Sequence, residues 1–316
     1  MENFKKWMRA EGKSDHTIRR YIRIADDFQE WFMKITNQTT FDPKLVTALD
    51  LQDWRNYLIH EATYQRKKEE EIQELRYSIS SINNCIKGIR AFFAFYIDAE
   101  VIKKNPAAKL RTLKVQNDIE EEPRWLERIE KNRLLAYIND EGLKEKNPWR
   151  FTRNRAIVYC GLHMGLRASE IADAEIEDAD FESGFFYVRD GKGGKAAKLP
   201  MNLDLRNALL EWIEERNKKD PRSKKLFTSQ KRQNSLTERA IDHIYRTISK
   251  QTGIKNLTSH VPRHTFGHDL IERGRPLNQV ADAMRHANVN TTRKYTKSSN
   301  RELKNSLDSL SGERDM

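Results

Sequence analysis

A chain of 316 residues is long enough for roughly two domains of about 100–200 residues, each able to bury its own core. It is 37% hydrophobic and 33% charged, with 6 Trp, 10 Tyr and 13 Phe, a balance that argues against disorder and for a folded, helix-rich protein. No run approaches the ~20 apolar residues of a transmembrane helix. The N-terminus lacks the apolar core of a secretory signal, and the two cysteines, Cys85 and Cys160, sit in apolar helical patterns. A membrane-spanning, secreted or disulfide-stapled protein is thereby excluded, and the cytoplasm is the expected compartment.

In chain order, Ser14 or Asp15 can N-cap a helix whose apolar positions are Ile18, Tyr21, Ala25, Phe28 and Phe32. Thr47 opens a second helix with Leu51, Trp54, Leu58 and Ile59 on one face. The charged run Arg66-Lys-Lys-Glu-Glu-Glu71 reads as a solvated loop or helix face. Ile82, Ile86, Ile89, Phe93 and Tyr96 then form the stripe of a buried helix, which Asn105-Pro106 closes off. Residues 113–124 are polar and without period, so a linker is expected there between a domain at 1–112 and another at 125–316.

Helices resume at 131–138 and 151–165. Phe185-Phe-Tyr-Val188, the turn Asp190-Gly-Lys-Gly-Gly194 and a return over 197–200 spell a β-hairpin. Further helices follow at 204–216, 238–252, 262–273, 276–284 and 300–310. The fold class expected is mainly α with a small antiparallel β-sheet: a helical N-terminal domain, then a mixed α/β domain that holds the sheet.

The net charge of +11 suggests an anionic partner, most often nucleic acid. Both halves share the excess, since residues 1–116 carry 21 Lys and Arg against 16 Asp and Glu. Five features then ask for one explanation. They are Arg167 in Gly165-Leu-Arg-Ala-Ser-Glu170, Lys192 at the hairpin tip, His260-Val-Pro-Arg263-His264, His286, and Tyr295 nine residues beyond it. His260 and His264 lack the third ligand and the acid of a zinc motif, so no metal is expected. Together the five make phosphoryl-transfer machinery. Two arginines can hold phosphate oxygens bidentately and neutralise charge in the transition state. A tyrosine hydroxyl becomes a nucleophile once a base or cations favour the phenolate. A lysine on a hairpin can protonate a leaving 5′ oxygen, with Lys195 and Lys198 as competitors for the role, and histidines can move protons or hold the phosphate. No Walker A loop and no carboxylate cluster appears, which disfavours nucleotide hydrolysis and two-metal nuclease chemistry.

In these residues the chain resembles the tyrosine recombinases, the phage-integrase and Xer-like group, over nearly its whole length. Arg167 looks like the family's first catalytic arginine and Lys192 like its general-acid lysine. His260, Arg263 and His264 match the His-x-x-Arg-His box, His286 the His/Trp position, and Tyr295 the nucleophile. Thr17-Ile-x-x-Tyr21, the 82–93 stripe and Asn105-Pro-Ala107 are similar to the family's helical, SAM-like core-binding domain. The resemblance implies a C-shaped clamp on double-stranded DNA, paired recombination sites, and a homotetramer on DNA assembled from a monomer or weak oligomer. It further implies a 3′-phosphotyrosyl link, a Holliday junction, and chemistry that needs no cofactor, ATP or metal. An accessory directionality protein is a further expected partner, and association with the bacterial nucleoid the expected location. Leu303, Leu307 and Leu310 lead to the expectation that the last helix docks on a neighbouring protomer, with packing in cis as the alternative.

Two positions depart from the family pattern. Pro262 stands where leucine is usual, which the first turn of a helix tolerates. Met284-Arg285 stands where Leu-Gly is common, and Arg285 is expected to contact DNA or to clash with it. Because the chain starts at the core-binding segment, the expectation is a simple-site recombinase, either for integration and excision of a mobile element or for Xer-type dimer resolution. Competing readings are a type IB topoisomerase-like relaxing enzyme and a catalytically silent DNA-binding or architectural factor.

Overall fold

The computed structural model describes residues 1–68, 71–114, 123–191, 195–219, 223–230 and 235–285, with backbone alone at 66–68, 71, 72, 190, 191 and 195. The chain divides into two units, Met1–Glu120 and Glu121–Met316. The first contains α1 (Glu2–Ala10), α2 (Asp15–Thr36), α3 (Ala48–His60), the strands β1 (Thr63–Lys68) and β2 (Glu71–Arg76), and α4 (Ile79–Asp98). Ser14 N-caps α2 by accepting from the Thr17 amide at 3.3 Å, and Thr47 and Asp50 close a capping box on α3. The apolar stripes face inward around Phe28, which meets Trp54 edge-on at 5.3 Å and Phe93 at 5.8 Å.

Within the charged run at 66–71, residues 66–68 and 71 are strand rather than loop or helix face, while 69 and 70 lie outside the described residues. Those strand residues lie on the β1–β2 hairpin, whose register sets Thr63 opposite Arg76, Gln65 opposite Glu74 and Lys68 opposite Glu71. The antiparallel ladder satisfies the backbone groups and sets one opposite-charge pair, Lys68 and Glu71, across the strands, a pattern with no helical period. Thr63 also donates to Glu74 at 2.5 Å across the ladder. The first helix, α1, carries no expectation from the sequence, because its buried positions reduce to Phe4 and Met8. Most of the expected 113–124 linker lies outside the described residues.

The second unit comprises α5 (Arg128–Ile138), α6 (Glu141–Lys146), α7 (Pro148–Met164), α8 (Ala168–Asp173), β3 (Ala179–Asp180), β4 (Phe185–Gly191), β5 (Lys195–Pro200), α9 (Leu203–Asn217), α10 (Glu238–Thr252), α11 (His260–Glu272) and α12 (Leu277–Ala283). Helix α7 is the core element, with 12 of its 17 residues buried, as a helix apolar on most faces must be. Helix α9 packs on it through Trp212, edge-on to Trp149 at 4.9 Å. Helix α11 packs on it through Pro262, which sits where a Cβ on Gly161 would come within 2.9 Å of its own Cβ. Proline in the first turn of α11 therefore costs no backbone hydrogen bond and fills a slot that glycine leaves open. The expected hairpin is present, extended by β3 into a three-stranded antiparallel sheet in the order β3-β4-β5. Phe186, Val188 and Leu199 turn to the core, while Tyr187 and Lys198 pair on the outer face. Both cysteines are free, on α4 and α7. No described helix is long and apolar enough to cross a membrane.

Candidate active site

The site is built around the end of α7. Gly165 closes that helix in the left-handed region, φ +57°, and its amide and that of Leu166 cap the carbonyls of Gly161 and Cys160. A Cβ at Gly165 would stand 2.6 Å from Phe266 Cδ1 on α11, so glycine is required by φ and by space together. The reversal delivers Arg167 to the N-cap of α8 in an extended conformation. There the Glu170 carboxylate accepts from the Arg167 amide at 2.9 Å and from Arg167 Nη1 at 2.5 Å.

Arg263 comes from the first turn of α11 and is 3% exposed. Its guanidinium donates to the Gly165 carbonyl and to the Met284 carbonyl. Arg167 Nη2 donates to the next carbonyl along, that of Arg285, at 2.9 Å. The structure thus brings Arg167 and Arg263 together on one rim of main-chain oxygens, although 96 residues separate them in sequence. His260 lies one turn before Arg263 on α11, is exposed, and stacks with His264 at 6.2 Å. Lys192, His286 and Tyr295 lie outside the described residues, as do residues 300–310, where a helix is expected from the sequence. The strands leading to Lys192 are in place. Its competitor Lys198 holds its ammonium 4.2 Å over the Phe185 ring, and only the backbone of Lys195 is described.

Two further residues complete the cluster: Glu170, which sequence reasoning gives no role, and Arg285, which it singles out only as a departure from the family pattern. Glu170 is signalled by its spacing, as the N3 acid of a capping box whose N-cap is Arg167. Arg285, expected from the sequence to meet DNA, turns inward in the free chain. Its side chain is 5% exposed and lies against Glu170, with Nη2 2.7 Å from Oε2. It takes this place from a left-handed backbone, φ +53°, at the residue after the α12 C-cap, where a non-glycine residue costs about 1–2 kcal/mol. Burial pushes the Glu170 carboxyl up, but the hydrogen bond and charge of Arg285, followed by those of Arg167, outweigh it. The net shift is below the ordinary 4.5. Two guanidiniums on one carboxylate leave excess positive charge at the rim among the described residues. Such a rim can grip a tetrahedral anion by charge-assisted hydrogen bonds.

The second unit is thus mostly helical, with a small antiparallel sheet and with Arg167 and Arg263 on one rim of main-chain oxygens. Residues 124–302 match the phage integrase family, and the chain belongs to that family of tyrosine recombinases. It is 28% identical over 310 residues to the tyrosine recombinase XerA of Pyrococcus furiosus, covering 98% of this chain and 92% of the relative. The fold is shared with XerH site-specific recombinase bound to palindromic difH substrate, at TM-score 0.70 and 22% identity over 92% of this chain and 78% of that one. It is also shared with the Tn1549 transposon integrase in complex with transposon right end DNA, at TM-score 0.66 and 19% identity over 98% of both chains.

Proposed function

We propose that the chain is a site-specific DNA recombinase that cleaves and rejoins duplex DNA through a 3′-phosphotyrosyl intermediate. The observation that carries this reading is the convergence of Arg167 and Arg263 on the carbonyls of Gly165, Met284 and Arg285. That rim ends one residue before His286 and ten before Tyr295. In this reading a scissile phosphate sits against the two guanidiniums, which neutralise its non-bridging oxygens as charge develops. Tyr295 attacks phosphorus, the bond to the 5′ oxygen breaks, and Lys192 delivers the proton to that leaving oxygen. His260 takes part in proton movement, and His286 holds the phosphate.

The phosphotyrosyl bond conserves the energy of the broken linkage, so rejoining draws on no ATP, and the arginines fill the place a metal would take. Strand exchange then proceeds through a Holliday junction in a homotetramer on paired sites. The structural neighbours, one in complex with transposon right end DNA and one bound to a palindromic difH substrate, support the polymer substrate. We take integration and excision of a mobile element as the role. A second reading, resolution of chromosome or plasmid dimers, is favoured by the full-length similarity to XerA.

The test is recovery of covalently attached DNA from cells under denaturing conditions, comparing wild type with Tyr295→Phe, followed by sequencing. DNA attached to wild type alone is the expected result. Paired repeats at the end of a mobile element would support the first role, and a replication terminus or plasmid locus the second. DNA attached equally to both proteins would refute the nucleophile, and none attached to either would favour a DNA-binding factor.

A further inference from the structure

Arg285 shares Glu170 with Arg167 and the Gly165 carbonyl with Arg263, and its own chemistry is fully used. The guanidinium has five N–H donors. Nε reaches Glu170 Oε1 at 3.4 Å, Nη1 reaches the carbonyls of Met164 at 3.4 Å and Ala283 at 2.9 Å, and Nη2 reaches the Gly165 carbonyl at 2.9 Å and Glu170 Oε2 at 2.7 Å. With five acceptors filled and the side chain 5% exposed, it has nothing left to offer a phosphate. Its effect on Arg167 is nevertheless direct. Arg167 Nη1 is held by Glu170, the carboxylate that Arg285 shares, and Arg167 Nη2 is held by the Arg285 carbonyl itself.

The consequence is electrostatic. A carboxylate with 2% side-chain exposure that faced Arg167 alone would draw that guanidinium into a closed ion pair, and the pair would present no net charge to a ligand. Facing two guanidiniums, Glu170 is over-compensated, and Arg167 keeps an attraction for a further anion. We propose that Arg285 is a positioning residue for strand cleavage: by neutralising Glu170 and offering its carbonyl, it holds Arg167 in place with its charge available to the scissile phosphate. The proposal rests on the recombinase reading above. It accounts for an arginine in a left-handed conformation that glycine would adopt without strain.

The experiment uses the full chain as wild type, Arg285→Gly, Arg285→Lys, Glu170→Gln and the Arg285→Gly/Glu170→Gln double variant. The probe is a nicked suicide duplex carrying the sequence that covalent trapping returns. Arg285→Gly should slow single-turnover cleavage at saturating DNA by roughly 10- to 100-fold, the range for losing a group that orients a reactive one. Its affinity for the duplex should stay within about threefold, and Arg285→Lys should fall between it and wild type. Removing the stranded charge should restore the rate, so the double variant is expected to cleave at least about fivefold faster than Arg285→Gly, which a merely structural arginine would not produce. In the free protein, melting temperatures of the two single variants should be non-additive in the double, as for directly coupled groups. Cleavage by Arg285→Gly within twofold of wild type, no gain in the double variant, or additive melting shifts would each overturn the proposal. Absence of cleavage by wild type itself, with melting still coupled, would instead sink the recombinase reading and carry the positioning role down with it.

Discussion

Gly165→Ala is the sharpest test of how the site is built, because one added methyl group acts at two places. The residue sits at φ +57°, where an L side chain costs about 1–2 kcal/mol. The new Cβ also lands 2.6 Å from Phe266 Cδ1, with Cε1 at 3.1 Å, so the ring or the α7–α11 spacing must shift, at about 1–3 kcal/mol for overpacking. Restricting the unfolded chain returns about 0.4–1 kcal/mol. The balance is a loss of roughly 2–4 kcal/mol, which for a unit the size of Glu121–Met316 lowers the melting temperature by about 6–12 °C.

Function should fall further than stability, because the Gly165 carbonyl accepts from both Arg263 and Arg285. The assay is thermal melting beside single-turnover DNA cleavage well below the transition. Phe266→Leu in the Gly165→Ala background should return the overpacking share and leave the backbone share. A variant melting within about 2 °C of wild type would refute the strain argument. Normal cleavage despite a lowered melting temperature would refute the claim that this carbonyl positions the arginines.

Two further outcomes follow from ionisation. Glu170 has a folded-state carboxyl held below its ordinary value, so the stability it contributes is fully present above about pH 4.5 and is lost as pH falls through the lowered folded value. Glu170→Gln should therefore cost about 3 kcal/mol near neutrality by stranding buried guanidinium charge, and the gap in urea midpoint between the two proteins should narrow as pH falls below the ordinary carboxylate value. An equal gap at every pH would show that Glu170 is not ionised in the fold. For the cysteines, burial pushes the Cys85 thiol up to about 11 and Cys160, wholly enclosed in α7, higher still. At pH 8 Cys85 is thiolate to about one part in a thousand, so a thiol reagent should label it slowly and Cys160 only as the protein unfolds. Rapid labelling of Cys160 in the native protein would contradict the packing of α7.

How much of this was legible in the sequence depended on whether the information was local. The α4 stripe, the Thr47 capping box and the hairpin over 185–200 are written in consecutive residues, by period, by cap and by turn chemistry. The β1–β2 hairpin was not, because its charged run lacks alternation and its pairing is set only by cross-strand register. At the site, Arg167 and Arg263 stand out by motif, whereas the shared rim of carbonyls that gathers them is a tertiary fact. Glu170 lay between: its spacing from Arg167 announced a helix cap, and nothing nearby announced a second cation for it.

Arg285 shows why that last step resists local reading. Judged by its neighbours, an arginine after the C-cap of α12 in a left-handed conformation is a fault, since glycine is the residue that the backbone prefers there. Its compensation lies 115 residues away at Glu170 and 120 away at Gly165, beyond the reach of any periodicity. A chain that accepts about 1–2 kcal/mol of backbone strain at a helix end must recover it in that side chain's contacts. A side chain with five donors recovers it most fully where carbonyls and a buried carboxylate converge, and in this protein that place is the rim that holds Arg167 and Arg263.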